Sequence, residues 1–147
     1  MNTEKRLDSV WWALRIGLGL VPVLAGLDKF FNVLTDWNKY LSPAVVDLLP
    51  VSGPTFMGLV GVIEMIVGLA ILTRWTRIGA YVAAGWLVAI AANLVTTGTF
   101  LDVAVRDLVM AIAAYALARL TEIREAAASG ATVPRPGHEL LPAVVER

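Results

Sequence analysis

An all-α, integral-membrane four-helix bundle is the fold class that three observations predict. Of the 147 residues, 58% are hydrophobic and only 16% charged, a balance too apolar for a soluble domain of this size. The apolar residues gather in four blocks, about 11–30, 54–72, 78–95 and 103–120, each of a length that suits one bilayer crossing. The joins between the last three blocks, TRWTR and TTGTFLD, are short enough to connect only antiparallel neighbours.

Span one opens with Trp11 and Trp12, which suit an interfacial belt, and carries Arg15 and Pro22 inside it. The basic start resembles a secretory signal, but no small-x-small cleavage site precedes Asp28 and Lys29, so the segment is expected to remain as a span, kinked at Pro22. Residues 31–55 are too polar to cross. Trp37, Tyr40, Leu41, Ala44, Val45, Leu48 and Leu49 recur there at helical spacing, which predicts short interfacial helices that cover the extracytoplasmic end. Ser42 before Pro43 is a cap and first-turn pair, and Pro50, Ser52, Gly53 and Pro54 close this piece and start span two.

Spans three and four follow, with Asp102 or Thr99 expected to cap the fourth, whose helix should continue to Ser129 and Gly130. Residues 1–130 form the four-span domain in this reading. Beyond them, 131–147 contain three prolines and no periodic apolar face, and are expected to form a flexible cytoplasmic tail. Lys5, Arg6, Arg74, Arg77, Arg119 and Arg124 flank one side of the spans, against mainly Lys29 and Lys39 on the other, so both termini should be cytoplasmic.

Twelve acids against twelve bases leave no footprint for nucleic acid. With no cysteine, and His138 alone in the tail, disulfides, thiol chemistry, haem, iron–sulfur and zinc sites lack ligands. No metal-bound or covalent cofactor is expected; proton exchange, hydrogen bonding and ligand binding remain.

The candidate site residues are the polar groups inside the spans: Glu64, Arg106, Asp107, Asn93, Arg15 and Lys29, with Trp86 on the Asn93 face. Arg15, Gly19, Pro22, Gly26 and Lys29 form one helical stripe, and Gly61, Glu64 and Gly68 another, so both should face inward where small residues admit a neighbouring backbone. At about 1.5 Å per residue, Glu64 lies roughly 12 to 15 Å from the outer end and Arg106 and Asp107 roughly 5 to 8 Å. Arg106 is therefore the expected partner of Glu64. Each group also has a plainer reading: an ion-paired network that holds helix register, Asn93 as glue between helices, Arg15 reaching to the headgroups, and Trp37, Tyr40, Trp75 and Tyr81 as belt or packing aromatics.

Read together, Arg15-x-Gly17, Gly26-Leu27-Asp28-Lys29, Glu64-x-x-x-Gly68 running into Leu72-Thr73-Arg74, Asn93 and the Arg106-Asp107 pair resemble the DoxX family of small four-span bacterial membrane proteins over residues 10 to 120. The resemblance implies a bundle in the bacterial plasma membrane. It also implies association with quinone-linked oxidoreductase assemblies, in which this chain would be an accessory subunit, at most one part of a quinone-dependent oxidoreductase and not catalytic alone. On that reading a quinone-sized pocket lies in the outer half of the bundle: Arg106 and Asn93 donate to a quinone carbonyl, Glu64 or Asp107 exchanges the proton, and Trp86 lines the ring. Its partners would be the bilayer and a redox-complex protein or further copies of itself. Two other classes fit the same residues: a small oligomeric proton or solute transporter or channel centred on Glu64, and a non-catalytic scaffold whose tail does the binding.

Overall fold

The computed structural model describes residues 3–48 and 50–130; the expected tail, 131–147, lies outside the described residues. The order is α1 (Thr3–Asp28), a 3-10 turn at Trp37–Tyr40, α2 (Pro43–Leu48), α3 (Gly53–Leu72), α4 (Thr76–Thr97) and α5 (Leu101–Ala128). Three of these helices, α1 from Lys5, α3 and α4, are long and apolar enough to cross a membrane. α5 carries Asp102, Arg106, Asp107 and Arg119 and falls outside that group.

Local chemistry accounts for most boundaries. Ser42 Oγ accepts from Val45 N at 3.3 Å and starts α2, as the Ser-Pro pair predicts. Ser52 Oγ accepts from Thr55 N at 3.4 Å and starts α3 with Pro54 in its first turn. Gly98 ends α4 in the left-handed conformation, φ 67°, which a residue without Cβ adopts freely. The expected cap of α5 is corrected: Phe100 occupies the cap position with no side-chain bond, Asp102 already lies inside the first turn, and the Thr99 hydroxyl donates to Thr97 O at 2.9 Å. Helix also extends past the predicted first span, from Thr3 in α1, while α5 runs to Ala128, next to the expected Ser129 and Gly130; Asp8 and Arg124, in these polar extensions, pair with each other. α1 runs through Pro22 without a break.

Two antiparallel helix pairs make the bundle. In the first, Gly26 faces Gly61 and Gly19 faces Gly68, so two contacts seven residues apart on each helix keep one register. A Cβ on Gly26 would overlap the Gly61 carbonyl, and one on Gly68 would stand 2.5 Å from the Gly19 carbonyl. Backbones this close gain dispersion and Cα–H···O contacts that a larger residue forbids. In the second pair, α4 and α5 meet along their length, from Arg77 with Glu125 through Tyr81 with Tyr115 to Leu94 with Ala104.

The pairs join mainly at the end where α1 starts and α5 finishes, called here the termini end. Trp11, Leu18, Val67, Ile71, Ala80, Ala83, Ala114, Leu117 and Ala118 form the core there, and Ile71, Ala80, Ala114, Leu117 and Ala118 are fully enclosed. Trp11 Nε1 donates to Thr121 Oγ1 at 2.8 Å, which ties α1 to α5, and Gly79 lets α4 rest on the Ile71 backbone. At the opposite end, the buried cluster Ala91, Leu94 and Ala104 lies within the second pair and is packed by Tyr40 and Phe100. The two pairs therefore diverge toward residues 29–48, and those residues fold over the gap as a cap.

Candidate functional site

Between the diverging pairs lies a cavity of about 580 Å³. Its walls come from α1 (Leu18, Val21, Pro22, Ala25), α3 (Val60, Val67), α4 (Ala83, Leu87) and α5 (Val103, Met110), and the cap supplies Trp37, Tyr40, Leu41 and Val45 as a roof. Most of this lining is apolar. Six polar groups interrupt it: Lys29, Glu64, Trp86, Asn93, Arg106 and Asp107.

The strongest feature is an ion pair. Lys29 Nζ lies 2.5 Å from Glu64 Oε2, and the two side chains are only 4% and 11% exposed. Lys29 Nζ also sits 3.8 Å from the Trp37 ring centroid, so the ammonium is held between a carboxylate and a π face. The expected pairing of Glu64 with Arg106 is thus corrected to Lys29. The reason is the glycine register: Gly26 and Gly61 bring the antiparallel α1 and α3 into backbone contact, Lys29 lies one turn to one side of that contact with its Cβ against Gly61, and its long side chain runs back along the seam to Glu64, one turn to the other side. Arg106 instead turns along α5 toward Asp102, at 3.6 Å, with 70% of its side chain exposed.

Asp28, buried beside Lys29, shapes the roof. Its carboxylate accepts from Val33 N (3.0 Å), Leu34 N (3.1 Å) and Trp37 Nε1 (2.8 Å). Asn32 makes the chain reversal at φ 53°, a left-handed conformation that Asn tolerates. Trp37, expected to be a belt or packing aromatic, is therefore part of the charged site. Asp28 and Trp37 were legible only in part: Asp28 stands in the Gly26–Lys29 motif, but nothing in the spacing shows that its carboxylate folds the loop back over Lys29.

Asn93 anchors the other side of the roof. Its Nδ2 donates to Tyr40 O at 2.7 Å and its Oδ1 accepts from Ser42 N at 3.3 Å, while the Tyr40 ring packs on Phe100 at 4.8 Å. One Nδ2–H and the Oδ1 of the side-chain amide are committed to the cap, which leaves the second Nδ2–H as the donor it could offer a ligand. Asn93→Ala should free the 40–45 segment, and amide hydrogen exchange there should quicken roughly tenfold for two lost bonds worth about 0.5–1.5 kcal/mol each. Unchanged exchange would show that the roof is held by packing alone.

Arg15 is placed away from this site. Its guanidinium donates to the carbonyls of Ile71 (3.0 Å), Leu72 (2.8 Å) and Thr73 (2.6 Å) at the end of α3, two of which also accept from the Thr76 hydroxyl, and it stacks on Trp11 and Trp12. It caps a helix and does not meet Glu64.

Two groups on the wall are not spent on protein partners. The Trp86 indole nitrogen is buried without a hydrogen-bond partner and stands beside the Glu64 carboxylate without closing a bond to it. Asp107, half-buried on α5, lies within electrostatic reach of both Glu64 and Lys29. Among the described residues, no three His, Cys, Asp or Glu side chains converge as a metal site would require. The arrangement offers a mostly apolar chamber with one satisfied ion pair, one unpaired donor and one carboxylate near its mouth. Such a chamber suits the binding of a mostly apolar molecule with a polar head.

Against known families, the chain matches the DoxX model over residues 10–98, a segment that includes Arg15, Lys29, Glu64, Trp86 and Asn93 and stops before Arg106 and Asp107. Comparison with curated proteins and with solved structures yields no match.

Proposed function

This chain belongs to the DoxX family and is a multi-pass membrane protein, and from that premise we propose that it is an accessory subunit of a quinone-linked redox complex in the bacterial plasma membrane. The observation that carries the reading is the cavity: about 580 Å³, apolar on most of its wall, with the Lys29–Glu64 pair set into it. A quinone headgroup is flat, apolar and carries two acceptors, which matches this chemistry in kind. α5 is the fourth span in this proposal, the 3-10 turn and α2 lie in the extracytoplasmic interface, and both termini are cytoplasmic. In this reading Arg106 stands at the mouth, and Asp107, which lines the same cavity as Glu64, exchanges a proton with bound quinol.

The packed termini end favours this reading over conduction. Ile71, Ala80, Ala114 and Leu117 leave the cavity closed on that side, so a single bundle offers a chamber and no pore. The test is purification in mild detergent followed by titration with a short-chain 1,4-benzoquinone, read by quenching of Trp37 and Trp86. A co-purifying oxidoreductase partner and saturable quenching are expected, with Arg106→Ala weakening binding roughly tenfold if a charged hydrogen bond of about 1.5–3 kcal/mol is lost. No quenching, together with no partner, would exclude the reading.

A further inference from the structure

We infer that the cavity selects an uncharged headgroup bearing a hydrogen-bond acceptor, that Trp86 Nε1–H is the donor that anchors it, and that an anionic head on the same tail is refused. This deepens the reading given above and rests on it. Three observations combine.

The first is what is already paired. Lys29, the buried cation on the wall, is satisfied by Glu64 at 2.5 Å and by the Trp37 ring at 3.8 Å. An anionic guest would have to pull Lys29 from Glu64 and leave that carboxylate unpaired in an apolar chamber, with Asp107 adding like charge nearby. A cationic guest would meet Lys29. Neutral heads break no pair.

The second is what is unpaired. Asn93 gives one Nδ2–H and its Oδ1 to the roof, and Arg106 is mostly exposed, so neither is a buried donor left wholly without a partner. Trp86 is: among the described residues its nitrogen is the one buried side-chain donor with no partner, and the residue lines the cavity. A buried unsatisfied N–H costs about 1–3 kcal/mol, and a guest carbonyl or ether oxygen removes that cost.

The third is the way in. The roof is tied to α1 through Asp28 and to α4 through Asn93, and the termini end is packed, so both ends along the helices are closed. Val21 on α1 is 50% exposed and also lines the cavity, and exposed Ala89 on α4 does the same on the opposite side. Openings between helices face the lipid, and a guest with an apolar tail can leave that tail in the bilayer.

The experiment uses the full chain in detergent and three probes with alkyl tails of similar length: decyl-1,4-benzoquinone, decanoate at pH 8, and decylbenzene, which has the ring and lacks the oxygens. Binding is read by calorimetry. Wild type is expected to bind the quinone at least about tenfold more tightly than the other two, and Trp86→Phe, which keeps a ring and removes the N–H, should weaken the quinone roughly tenfold for one lost hydrogen bond while leaving decylbenzene unchanged. Circular dichroism and thermal unfolding of Trp86→Phe report that the fold persists. Equal loss for quinone and decylbenzene in Trp86→Phe, or decanoate binding as tightly as the quinone, would overturn the inference while the cavity remains a ligand site. Failure of all three probes to bind would overturn both.

Discussion

Neutralising either member of the buried pair, Glu64→Gln or Lys29→Met, is expected to cost about 3–5 kcal/mol of stability, whereas the pair Lys29→Met with Glu64→Leu should cost far less than the sum. Each single change leaves a charge, or a group forced out of its charged form, in a chamber with no other countercharge at contact distance. Replacing both removes the burial penalty together with the attraction, and Met and Leu occupy similar volume. A double-mutant cycle read by unfolding in mixed micelles measures the coupling. Strict additivity would mean that Lys29 and Glu64 do not act as a pair. A strong coupling with quinone binding retained in the double variant would make the pair a clasp for helix register, while loss of binding would make it part of the site.

The second large effect is expected at the glycine seam. Gly26→Val puts a branched Cβ against the Gly61 carbonyl, which is backbone and cannot turn aside. The helices must separate or slip, at a cost at or above the usual 1–3 kcal/mol or so for overpacking. Because Lys29 and Glu64 stand one turn from this contact, the same change should also weaken their ion pair. Gly17→Val is the matched control: it lies on the same helix with nothing within 4 Å of an added Cβ, and should shift stability by no more than about 0.5 kcal/mol. Equal effects at the two positions would mean that α1 and α3 are not held by close backbone contact.

Both expectations draw on features that the chain announces unevenly. The small residues Gly19, Gly26, Gly61 and Gly68 share faces at heptad spacing, so an intimate α1–α3 contact is readable from periodicity alone. The caps Ser42 and Ser52 and the polar groups inside the apolar blocks are equally plain, because a charge in such a block has to be accommodated. Which charges meet is another matter. Depth counted along each helix favoured Arg106 as the partner of Glu64, since both lie toward the same end. Depth along an axis says nothing about rotation around it, and Arg106 faces out along α5 toward Asp102.

The cap shows the same division. Short helical pieces between residues 31 and 55 follow from spacing and prolines, yet their placement over the cavity depends on single hydrogen bonds from Asp28 and Asn93 to groups nine and about fifty residues away in the chain. Arg15 is similar: its charge signals a polar role, but the three carbonyls it caps belong to the end of a different helix.

By itself the sequence determined that this is a helical membrane protein, roughly where its helices lie, and which faces of α1 and α3 touch. Those properties follow from composition and from periods of three, four and seven, which act within one helix. Only the tertiary structure decided that Lys29 rather than Arg106 holds Glu64, that Asn93 and Asp28 tie down a roof, and that Trp86 keeps a free donor on a cavity wall. Such facts depend on how helices are rotated and splayed against one another, and that geometry comes from the sum of many weak side-chain contacts that no single stretch encodes.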